Sequence, residues 1–91
     1  MNIRQIKLSD NWLVAEEYDG NYIFENDKKS FCVNIDFVSN CTYPYSINFV
    51  QLKGDKIKIG IEDGAYSTHS EQLSDAFDKA IKMMLFIDSK T

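Results

Sequence analysis

The stretch FCVNIDFV, residues 31–38, alternates its side chains with a period of two: Phe31, Val33, Ile35 and Phe37 fall on one side, Cys32, Asn34, Asp36 and Val38 on the other. Successive side chains of an extended chain point to opposite faces, so this pattern predicts a strand with one buried face. Downstream, residues 46–52 place Ile47 and Phe49 on one face and Val50 and Leu52 on the other, which suits an inner strand of a sheet. Ile57, Ile59 and Ile61 then alternate with Lys56, Lys58 and Glu62, a further strand. Gly54-Asp55 before it suits a tight hairpin turn, because glycine supplies the positive φ such turns need.

Upstream, EEYDGNYIFEN (16–26) sets Asp19-Gly20 between Tyr18 and Tyr22, a strong short-range hairpin signal with a strand on each side. The first arm, WLVAEEY, contains good helix formers, and Asp10 is a suitable cap for a short helix. An extended arm is nevertheless expected, because it would bring Trp12, Val14 and Tyr18 onto one face. Asn26, Asp27, Lys28 and Lys29 form a polar turn into the strand at residue 31.

Near the C-terminal end of the sequence the period changes. In STHSEQLSDAFDKAIKMMLFID (67–88), Leu73, Ala76, Phe77, Ala80, Ile81, Met84 and Ile87 recur at helical spacing and draw one apolar stripe. Thr68 with Glu71 reads as a capping box that starts the helix, and Asp75–Lys79 and Asp78–Lys82 are acid-first i,i+4 pairs on its wet side. These elements sum to an α+β, two-layer domain spanning 1–91: an antiparallel meander of about five strands with one long C-terminal helix on one face. Phe31, Val33, Ile35, Phe37, Ile57, Ile59 and Ile61 are expected to meet Leu73, Phe77, Ala80, Ile81 and Met84 across the layer. One helix covers one face, so the face with Cys32, Asn34, Asp36, Lys56, Lys58 and Glu62 is left to solvent or a partner.

Composition narrows the function classes. With 44% hydrophobic and 26% charged residues the chain is globular rather than disordered. Fourteen acidic against ten basic side chains give a net charge of −4, which disfavours direct nucleic-acid binding, since few cations are in surplus to displace counterions from phosphates. Neither a signal-peptide pattern nor an apolar run of the ~20 residues a membrane span needs is visible, so a cytoplasmic protein without a membrane partner is expected. Its two cysteines, Cys32 and Cys41, are then expected as reduced thiols.

GxxxxGK[ST], GxGxxG, HExxH and GxSxG do not occur, and no enzyme activity, metal or cofactor is expected. A Cys–His pair using His69, the one histidine, has no announcing spacing, and a metal site from Glu62, Asp63 and His69 competes with an ordinary strand-to-helix loop. Stronger candidates are acidic and aromatic. Glu16, Glu17 and Asp19, with Glu25 and Asp27, share the first hairpin, while Glu62, Asp63, Glu71, Asp75 and Asp78 gather near the helix start. Asp36 lies on the open sheet face. Such carboxylates imitate phosphates and suit a basic or nucleic-acid-binding protein as partner, set against the plainer role of keeping the domain soluble.

The loop CTYPYS (41–46) adds Tyr43 and Tyr45 around the one proline, Pro44, which stiffens the connection and holds Tyr43 extended. Tyrosines on a stiff loop are favoured binding anchors; the opposing reading folds both rings over the sheet edge as a lid on the core. The expectation is therefore a small acidic protein-binding domain that inhibits a partner by occupying its functional surface, with Glu16, Glu17, Asp19, Asp36, Tyr43, Tyr45, Glu62 and Asp63 as binding residues. By class-level analogy alone, phage-encoded inhibitors of host defence such as anti-CRISPR proteins, and immunity proteins that neutralise toxins, are built this way. A homo-oligomeric unit pairing through an edge strand or the open face, homodimers included, and a small-molecule-binding or cysteine-dependent domain are the competing readings.

Overall fold

The computed structural model describes Leu8, residues 10–53 and residues 65–90. Strands β1 (Trp12–Tyr18), β2 (Asn21–Asn26), β3 (Phe31–Phe37), β4 (Tyr45–Gln51) and β5 (Ala65–Ser70) precede helix α1 (Leu73–Lys90). The strands form one antiparallel sheet in the order β1-β2-β3-β4-β5, and α1 packs on β3, β4 and β5. This is the α+β meander with a C-terminal helix that the alternation at 31–37 and the helical stripe imply. The strand expected at Ile57–Ile61 and the turn at Gly54-Asp55 lie outside the described residues; among the described residues, β4 pairs onward with Ala65–Ser70.

Register turns the alternation into a core. Val33 stands opposite both Phe24 and Phe49, and Ile35 opposite both Tyr22 and Ile47, so one face of three strands is continuously apolar. Against it α1 buries Ala76, Phe77, Ala80, Met83, Met84 and Ile87. Phe77 meets the Tyr22 ring edge-on at 4.9 Å between centroids. Burying each large apolar side chain contributes roughly 1.5–3 kcal/mol, which makes this layer the main support of the fold. Two expected members stand aside. Ile81 is only half-buried while Met83 is buried, and Phe37 is 40% exposed, because β3 ends beyond the cover of the helix and its ring turns to Tyr45 at 5.2 Å.

The first hairpin departs from simple alternation. Val14 pairs with Phe24 but Glu16 pairs with Ile23, so Ala15 is an extra residue and β1 carries a bulge. Trp12 and Val14 therefore lie on the helix side, whereas Tyr18, opposite Asn21, lies on the other; the three do not share a face as alternation alone suggests. Trp12 remains buried, and its indole Nε1 donates to Asp88 Oδ1 at 3.0 Å, tying the edge strand to the end of α1. The hairpin turns through Asp19 and Gly20, both at positive φ (47° and 82°). Asn21 secures it: its Nδ2 donates to the Tyr18 and Asp19 carbonyls, and its Oδ1 accepts from the Phe37 backbone N–H at 2.8 Å.

The expected capping box is not what starts the helix. Thr68 and His69 belong to β5, pairing with Ile47 and Ser46, and the first helical hydrogen bond runs from Ala76 N–H to Gln72 C=O. The helix is anchored by Ser70 and Asp75 instead. Ser70 Oγ donates to the Asp75 carboxylate, and Lys79 Nζ bridges that carboxylate (3.1 Å) and the His69 carbonyl (2.7 Å). The Ser70 hydrogen bond first, and then Lys79, hold the Asp75 carboxyl below its usual range.

Candidate functional site

In a meander, β1, β3 and β5 end where β2 and β4 begin, so one end of this sheet gathers Tyr18–Asn21, Phe37–Tyr45 and Ser70–Glu71. Four large apolar side chains stand in solvent there: Tyr18 (53% exposed), Phe37 (40%), Val38 (55%) and Tyr43 (55%). Close contacts and a backbone hydrogen bond tie down the turns that carry them. A Cβ on Gly20 would lie 3.5 Å from Phe37 Cβ, so the hairpin turn packs directly on Phe37. The loop carrying Tyr43 is closed by the Val38 N–H to Pro44 carbonyl bond at 2.8 Å and turns through Asn40 at φ 64°.

The two loop tyrosines divide the roles that the sequence left open. Tyr45 is half-buried, packed on the core and on Phe37; Tyr43 projects outward. Around these rings stand carboxylates. Glu16, Glu17 and Asp19 are exposed, Glu71 is exposed beside the start of α1, and Asp36 is half-buried with its Oδ2 accepting a 3.4 Å bond from Asn48. The other carboxylates expected to join this hairpin patch do not: Glu25 pairs with Leu13 near the opposite end of β2, and Asp27 lies in the β2–β3 turn, its N–H bonded to Asn11. Glu62 and Asp63 lie outside the described residues.

The face away from the helix carries Ile23, Cys32, Asn34, Asp36, Ser46 and Asn48, all half-buried among themselves. Asn34 Oδ1 is enclosed there without a hydrogen-bond partner among the described residues. Burial pushes the Cys32 thiol up, with the nearby Glu25 charge adding to it, so Cys32 is held in its protonated, less nucleophilic form. His69 does not serve it as a base. Cys32 is opposite Val50 and His69 opposite Ser46, which sets them two strands and four residues apart, roughly 17 Å at ordinary sheet spacings. Cys41 is exposed, and both thiols are free. Among the described residues no group of three or more His, Cys, Asp or Glu side chains is placed to hold a metal ion, and no helix is long and apolar enough to cross a membrane.

Two open depressions meet at Tyr43 and His69. One, of about 570 Å³, is lined by Thr42, Tyr43, Thr68 and His69. The other, of about 310 Å³, runs from Tyr43 and His69 over Ser70, Glu71 and Gln72 to Asp75 and Lys79. The sequence pointed to Tyr43, Glu16, Glu17 and Asp19 but did not join them to Tyr18 and Phe37. Only strand pairing brings those residues to one end, and the bulge at Ala15 that turns Tyr18 away from the core has no local signature. Comparison of the chain with known protein families, with curated proteins and with solved structures finds no match.

Proposed function

We propose that the aromatic and acidic end of the sheet is a protein-binding surface for a basic partner, and that the domain acts in the cytoplasm as a non-enzymatic inhibitor by covering that partner's functional surface. One observation carries the reading: Tyr18, Phe37, Val38 and Tyr43 are all exposed at one end of the sheet, Tyr18 on the face away from the helix and Phe37 on the helix side, and Glu16, Glu17, Asp19, Asp36 and Glu71 lie at the same end. Protein-binding surfaces concentrate their affinity in such aromatic anchors, while surrounding charge selects the partner and speeds encounter. The same carboxylates repel phosphate backbones, which argues for a protein rather than nucleic acid.

The test is comparative capture. Wild type, Tyr43→Ala and the triple variant Glu16→Lys/Glu17→Lys/Asp19→Lys are used as parallel baits in cell lysate, with thermal melting as a control for folding. The expected result is a protein retained by wild type and lost from both variants, with melting temperature changed little. Recovery of the same proteins by all three baits removes the sheet end as the binding surface.

A further inference from the structure

We infer that the smaller depression beside Tyr43 is a slot for an arginine side chain of the partner, an assignment that rests on the protein-binding reading and names the chemistry recognised there. The depression, about 310 Å³, is lined by Tyr43 and by the β5–α1 turn, with Glu71, Asp75 and Lys79 as its charged lining. These charges are not equivalent. Lys79 is spent on the His69 carbonyl and on Asp75, and Asp75 is matched by Ser70 and Lys79. Glu71 makes no hydrogen bond or ion pair among the described residues, so it is the charge left over.

An uncompensated carboxylate and an exposed tyrosine ring in one depression favour a cation with a flat face. Guanidinium satisfies both: its plane stacks on an aromatic ring while its fork of N–H groups donates two parallel bonds to a carboxylate. A lysine ammonium makes the charge contact without the stacking. The start of a helix favours an anion in general, but here Asp75 in the first turn already occupies that role, and Glu71 would repel a second anion.

The probe is N-acetyl-arginine amide, titrated into the ¹⁵N-labelled protein and followed by amide chemical shifts, with N-acetyl-lysine amide and inorganic phosphate as parallel titrations. The expected result is saturable shifts at Tyr43 and at residues 69–72 with the arginine amide, weaker ones with lysine amide, and none with phosphate. Glu71→Gln should weaken the arginine titration about three- to fivefold, and Tyr43→Leu should reduce the preference for arginine over lysine. Both positions are exposed, so both variants are expected to fold. Shifts with phosphate in place of arginine, no shifts with arginine amide, or an unchanged titration in Glu71→Gln each overturn the slot. None of these outcomes depends on the lysate capture, so the slot and the partner reading fail separately.

Discussion

Asn26 is one of the few polar side chains in the core, and its burial is fully used. Its Oδ1 accepts from the backbone N–H groups of Ser30 and Phe31 at 2.8 and 3.1 Å, and its Nδ2 donates to Ser30 Oγ at 2.8 Å. The β2–β3 turn, with Lys29 at φ 53°, is therefore closed by a side chain standing in for backbone. Asn26→Ala leaves two backbone donors without their acceptor and is expected to cost about 2–3 kcal/mol by urea denaturation. A loss under roughly 0.5 kcal/mol would mean that water replaces the amide freely. The sequence shows Asn26 as an ordinary turn residue, since three simultaneous bonds depend on a geometry no local pattern encodes. The two thiols separate at the same scale. Cys41 stands in an exposed loop while Cys32 is half-buried with its pKa raised, so alkylation at neutral pH should label Cys41 first and Cys32 many times more slowly. Equal rates would show the open face to be far looser than its packing implies.

The elements of this fold that were legible in the sequence are those whose reason is local. β3 follows from strict alternation at 31–37, α1 from a helical stripe over more than three turns, and the β1–β2 turn from Asp-Gly between tyrosines. The junction of β5 with α1 was not legible. Thr68 and Glu71 have capping-box spacing, but β4 offers residues 65–70 a pairing partner, and the sheet claims Thr68 and His69 before a helix can start. Ser70 and Asp75 then take the anchoring role, and this gives the junction a pH dependence. The Asp75 carboxyl titrates lower in the folded protein than in the unfolded chain, because Ser70 and Lys79 stabilise its ionised form. Its contribution to stability is thus present above the unfolded value of about 3.9 and is lost as pH falls through the lower folded value. Asp75→Asn should flatten the acid limb of stability against pH below about pH 4 and leave its slope at neutral pH unchanged. An acid limb identical to that of wild type would show that the Ser70–Asp75–Lys79 cluster contributes nothing to folding.

At the scale of the whole molecule, the meander does what no single strand can: it sorts charge by position along the sheet. Glu16, Glu17, Asp19, Asp36 and Glu71 collect at one end, while the turns at the other end mix Lys28, Lys29 and Lys53 with Asp27. Net charge alone, at −4, hides this separation. A seven-residue strand spans roughly 20 Å, more than two Debye lengths at physiological ionic strength, so a partner approaching one end is nearly blind to charges at the other. Two variants distinguish local steering from a general effect of net charge. Glu16→Lys/Glu17→Lys/Asp19→Lys changes net charge from −4 by +6 to +2, and Lys28→Glu/Lys29→Glu changes it from −4 by −4 to −8. In stopped-flow association with a basic partner, the first variant should slow the on-rate about tenfold at low salt and flatten its dependence on ionic strength. The second, despite the larger total charge, should stay within about twofold of wild type at physiological salt, because its changes lie beyond the screening distance. If instead the on-rates of the three proteins rank by net charge, with the double variant fastest, then the partner senses the molecule as a whole and the sheet end loses its claim to be the point of first contact.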